Sequence, residues 1–102
     1  MSFTAEQFDK AFAELQEFGP RRRISIEQRW RETLPEIDPQ EFTVLRSLCK
    51  EIEDFAYDLA VQIWDKKLSD ELARKQLAQK FPSLTPERLS RTWSQAMYFA
   101  SK

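Results

Sequence analysis

Histidine is absent from this 102-residue chain, and cysteine occurs once, at Cys49. The first absence removes the side chain most used for acid–base work near neutral pH. Together the two exclude Ser/His and Cys/His catalytic pairs, zinc sites of the usual Cys/His kind and a disulfide within the chain. Long apolar runs are also missing, since no segment approaches the roughly 20 apolar residues that cross a bilayer. The opening MSFTAEQFDKAF has neither a basic start nor an apolar stretch ending in small residues, so no secretory signal and a cytoplasmic location are expected.

What is present suits one modest core. Hydrophobic residues make up 41% of the chain, charged residues 32% and aromatics 13%, which is too apolar for disorder. A domain of this length buries roughly 60–65% of its unfolded surface, so residues 1–102 are expected to form one domain. The net charge of −1 hides alternation. The chain is acidic to residue 19, basic from 20 to 34, acidic from 35 to 68 and basic thereafter, a pattern that favours neighbouring antiparallel helices.

Helix starts and stops are written in local chemistry. Thr4 with Gln7 forms a capping-box pattern, and Phe8, Ala11, Phe12, Leu15 and Phe18 recur at helical spacing until Gly19 and Pro20, predicting a helix over about 5–18. Ser25 with Gln28 starts a second, in which Ile26, Trp30 and Leu34 share a face before Pro35. Asp38, Pro39 and Glu41 combine an N-cap acceptor, a proline at the first position and an early carboxylate. Thr85, Pro86 and Glu87 repeat that logic for a last helix with Leu89, Trp93, Ala96, Met97 and Ala100 on one stripe.

Between Pro39 and Pro82 there is neither glycine nor proline. A long helix over about 39–68 is expected, followed by one set by Leu72, Leu77 and Phe81; Ser69 and Asp70 could cap the second, or the helix could continue to about Lys80. With Leu45 at zero and 100° per residue, Phe42, Leu48, Cys49, Ile52, Phe55, Ala56, Leu59, Ala60 and Ile63 fall within about 140° of arc. Cys49 is thus expected as a buried, inert thiol. Tyr57, Val61, Trp64 and Leu68 form a separate stripe at about 100–160°. The second half of this helix therefore needs a neighbour on each side, from its own chain or from a partner.

Two motif likenesses bear on chemistry. Glu14-Leu-Gln-Glu17 with Glu51-Ile-Glu-Asp54 resembles the ExxE…ExxD pattern of all-α nucleoside triphosphate pyrophosphatases, which implies carboxylates holding magnesium for phosphohydrolysis. The wheel places Glu14 and Glu17 off the apolar stripe and Glu51 and Asp54 on the polar side of theirs, so a solvated face is expected instead. The pair of helices over 70–100 resembles a helix-turn-helix, implying DNA contacts from Arg88, Arg91, Ser94 and Gln95. The link FPSLT is long and glycine-free for that motif, and a pI near 5.5 lacks the basic footprint of a DNA-binding domain.

The expected fold is an all-α single domain of four or five helices around the 39–68 helix. The expected function is that of a cytosolic protein-interaction or adaptor module, self-associating and without catalysis, cofactor or metal. Its partner, a protein or a second copy, is expected to contact Arg21, Arg22, Arg23, Tyr57, Val61, Trp64, Leu68 and Trp93. Nucleic acid, membrane and small-molecule substrates are not expected partners. A DNA-binding regulator is the alternative reading and a magnesium phosphohydrolase the minor one.

Overall fold

The computed structural model describes residues 3–17 and 23–101. They form five α-helices and no strand: α1 (Ala5–Leu15), α2 (Ile26–Thr33), α3 (Phe42–Trp64), α4 (Asp70–Lys80) and α5 (Pro86–Ala100), with a 3-10 turn at Pro39–Glu41 leading into α3. The all-α expectation, with one helix much longer than the rest, holds. Residues through Cys49 make one compact unit and those from Lys50 make another, the boundary falling inside α3. The expected stop of α1 at Gly19 and Pro20 lies outside the described residues, as do Arg21 and Arg22; the helix itself ends at Leu15, short of Phe18.

In the first unit, Thr4 closes the reciprocal cap anticipated from its spacing to Gln7: its hydroxyl accepts from the Gln7 amide, and the Gln7 side chain accepts from the Thr4 amide. Ser25 accepts from the Gln28 amide and starts α2. Ala11, Ile26, Trp30, Leu34, Ile37, Phe42 and Leu45 form the core, with Phe3, Phe8 and Leu15 packed on it. Trp30 is its anchor. The ring lies 5.5 Å from that of Phe42, and the indole N–H donates to the Ala11 carbonyl at 3.0 Å, so its one polar atom is satisfied inside an apolar cluster.

One expectation fails here. Glu14 does not face solvent: it is buried, and the buried Arg29 guanidinium of α2 donates to its main-chain carbonyl at 2.8 Å and lies 3.8 Å from its carboxylate. The cause is tertiary: Arg29 of α2 crosses the last turn of α1, where the helix dipole favours a cation, and covers Glu14.

The start of α3 follows the sequence: Asp38 accepts from the Gln40 amide at 3.0 Å and Pro39 takes the first position. Its end does not. The helix stops at Trp64, four residues before the expected Leu68. The Lys66 amide bonds the Ile63 carbonyl at 2.9 Å and the Lys67 amide reaches back to that of Gln62 at 2.8 Å, with Lys66 at φ 60°. This is a Schellman close in which lysine occupies the left-handed position that glycine usually fills. Ser69, accepting from the Leu72 amide, then caps α4 as a separate helix.

In the second unit, Phe55 meets Phe81 edge-on at 5.7 Å between ring centres, and the Lys80 ammonium stands 5.4 Å over the Phe55 ring. Helix α4 buries Ala73 and Leu77, whereas Leu72 is exposed, lying about 140° around the helix from Leu77. Thr85 caps α5 by accepting from the Arg88 amide, and α5 buries Arg88, Thr92, Trp93 and Ala96. The Trp93 indole donates to the Asp70 carboxylate at 3.0 Å, which ties the first turn of α4 to the middle of α5.

Candidate interaction face

The residues singled out for partner contact do not share one environment. Tyr57 is 44% exposed and Trp64 54%, while Val61 and Leu68 are half-buried. On the adjoining face of the same stretch, at about −40° to 60° with Leu45 at zero, Ile52, Ala56, Leu59 and Ala60 are buried. The second stripe of α3 is therefore real and open. Tyr57, Val61 and Trp64 follow one another at i, i+4 and i+7, a row about 10.5 Å long on the helix surface. Leu68 belongs to the connection after the Schellman close rather than to the helix.

Carboxylates border this row. Glu51, Glu53, Asp54, Asp58 and Asp65 are all exposed, and Lys50 is the one cation in the sequence from 50 to 65. Asp54 engages that cation at 2.9 Å. Its hydrogen bond and then its charge hold the Lys50 ammonium above the ordinary lysine range. The stretch thus carries an aromatic row with Lys50 in line with it and carboxylates along its edges, a net negative face that composition alone, with its net charge near zero, conceals.

Trp93 must be taken off the surface. It is 3% exposed, its indole N–H is committed to Asp70, and its place is in the core of the second unit. Arg23 is exposed; it is the one member of the arginine run among the described residues. Of the four acidic residues of the ExxE…ExxD likeness, Glu14 is engaged with Arg29 and Asp54 with Lys50. Among the described residues no group of three or more carboxylates or thiols stands together as a metal site.

For the nucleic-acid alternative, Arg88 is the residue that moves. It is 6% exposed, with a guanidinium nitrogen 3.2 Å from Glu87, so it does not present its fork outward. Arg91 and Ser94 are exposed and Gln95 is half-buried. One exposed arginine with two small or half-covered polar groups makes a thin phosphate-contacting surface.

Sequence reasoning missed four positions. Arg29 and Glu14 carry no local pattern that marks a buried ion pair, and Asp70 gives no sign that it serves a distant indole. Ile37, between Pro35 and Pro39, is buried although it lies outside any helix. Among the described residues no helix is long and apolar enough to cross a membrane. No protein-family model matches the chain, and no match was found among curated proteins or solved structures.

Proposed function

We propose that the protein is a small cytoplasmic interaction module, without catalytic chemistry of its own, that binds a protein partner through the outer face of α3. The observation that carries this reading is the exposure of Tyr57 and Trp64 on a helix whose adjoining apolar face is buried. Tyr and Trp are the residue types that dominate interface energetics, because they bring large apolar area with few rotors to freeze. Fully covering such a side chain is worth roughly 1.5–3 kcal/mol or more. A covered row of two aromatics and a valine can therefore anchor a specific contact.

The reading separates binding from folding. Trp64→Ala is expected to change the unfolding free energy by less than about 0.5 kcal/mol, as for other exposed positions, and to weaken partner binding by about 2 kcal/mol or more. A photoreactive benzoylphenylalanine at position 64 of the full chain identifies the partner by cross-linking, and calorimetry with the purified partner measures the loss. If that partner binds Trp64→Ala and Tyr57→Ala with wild-type affinity, the reading fails. Self-association through the same face is the competing form, and sedimentation velocity over a wide concentration range distinguishes it.

A further inference from the structure

We infer that the outer face of α3 docks a basic amphipathic helical segment of another protein in preference to a second copy of this chain. The inference rests on the interaction reading above and adds the chemistry of the partner. It follows from the order of side chains around the helix. With Leu45 at zero, Trp64, Tyr57 and Val61 lie at about 100°, 120° and 160°; Asp54, Asp65 and Asp58 lie at about 180–220° on one side, and Glu53 at about 80° on the other. All four carboxylate residues are exposed, and Lys50, at about 140° in line with the row, is paired with Asp54.

A second copy has two ways to pack face to face against such a surface. In an antiparallel twofold pair each helix edge meets the same edge of its mate, so the aspartate edge faces itself. In a parallel pair the aspartate edge meets the Glu53 edge. In either arrangement each copy brings four carboxylates against one ammonium, that of Lys50, so the two faces carry the same net negative charge and oppose association. A segment with apolar side chains at i, i+4 and i+7 and Lys or Arg at the flanking positions meets the same surface with opposite charge on both edges. The row on α3 has that spacing itself, so the two helices can interdigitate over about two turns.

The test uses the full chain and two synthetic helical peptides of equal length with identical Leu anchors, one flanked by Lys and Arg and the other by Glu, each fluorescein-labelled for anisotropy. The basic peptide is expected to bind about tenfold or more tightly than the acidic one, the equivalent of a few rim ion pairs, and to weaken as salt is raised. Trp64→Ala is expected to cost about 30-fold or more. Asp58→Lys combined with Asp65→Lys, both surface changes that leave the core intact, is expected to reverse the preference. Equal affinity for the two peptides, or tighter binding of the acidic one, overturns the inference while leaving a protein-binding face. A concentration-dependent dimer abolished by Trp64→Ala also overturns it, in favour of a second copy. Binding of neither peptide at concentrations on the order of 100 μM, with Kd limits to match, overturns it together with the interaction reading.

Discussion

Asp70→Ala isolates the bond that joins α4 to α5. One carboxylate oxygen of Asp70 accepts from the buried Trp93 indole at 3.0 Å, and the other lies 2.9 Å from the Arg74 guanidinium. Removing the carboxylate takes the acceptor from an indole whose ring is buried but whose bond to Asp70 is only part-buried, so water can partly replace it, at about 0.5–1.5 kcal/mol. It also takes a negative charge from the first turn of α4, worth roughly 0.3–1 kcal/mol. The Arg74 pair is more than half exposed on both sides and adds less than about 1 kcal/mol. The expected total is about 1–3 kcal/mol, read by urea unfolding with an unchanged m-value. Asp70→Asn keeps an acceptor oxygen and is expected to recover more than half of the loss, and Arg74→Ala to stay below about 1 kcal/mol. A double-mutant cycle of Asp70→Ala with Trp93→Phe should show coupling of about 1 kcal/mol or more. If Asp70→Ala costs no more than Arg74→Ala, the indole bond does not hold these helices together and the reasoning is wrong.

Lys66→Gly is expected to stabilise the protein by roughly 0.5–1 kcal/mol in thermal or urea unfolding, because the left-handed position penalises a side chain more than glycine's added unfolded-state freedom offsets. A destabilised Lys66→Gly would contradict the Schellman close. Arg29→Ala is expected to cost about 3–5 kcal/mol by leaving Glu14 buried without its cation, whereas Arg29→Met with Glu14→Leu should restore most of that loss; equal stability of single and double variants would show that the pair is not coupled. The Lys50–Asp54 pair predicts a pH effect with a definite sign. Because the Lys50 pKa is raised by folding, its contribution is complete below the ordinary lysine pKa and disappears as pH rises through the folded value. Unfolding of wild type and Lys50→Met should therefore converge in strongly alkaline solution; divergence there would contradict the assignment.

Helix starts were legible because they are local. Thr4, Ser25, Asp38 and Thr85 each accept from an amide two or three residues ahead, a relation visible in a short window of sequence. The end of α3 was not legible, since the position that usually announces it with glycine holds Lys66. Burial of Glu14 was hidden for a different reason. It depends on where Arg29 of α2 crosses the last turn of α1, a tertiary fact that no helical wheel contains. Trp93 and Trp64 illustrate the same limit within one residue type: both occupy apolar stripes, yet one closes a core and the other meets solvent. The second stripe of α3 was readable as an angle around the helix, and its openness only from the packed structure. Charge around it was likewise obscured by the near-neutral sum.

In the isolated chain the outer face of α3 is uncovered. Three tryptophans report on it unequally, because Trp30 and Trp93 are buried and Trp64 is exposed. The most direct measurement is acrylamide quenching of the emission lost on Trp64→Phe, over a range of protein concentrations and with a bound partner. The expected result is a red-shifted component that quenches as a solvated indole at every concentration of the chain alone and becomes protected only when partner is added. A Trp64 component already blue-shifted and protected in the isolated chain would contradict it.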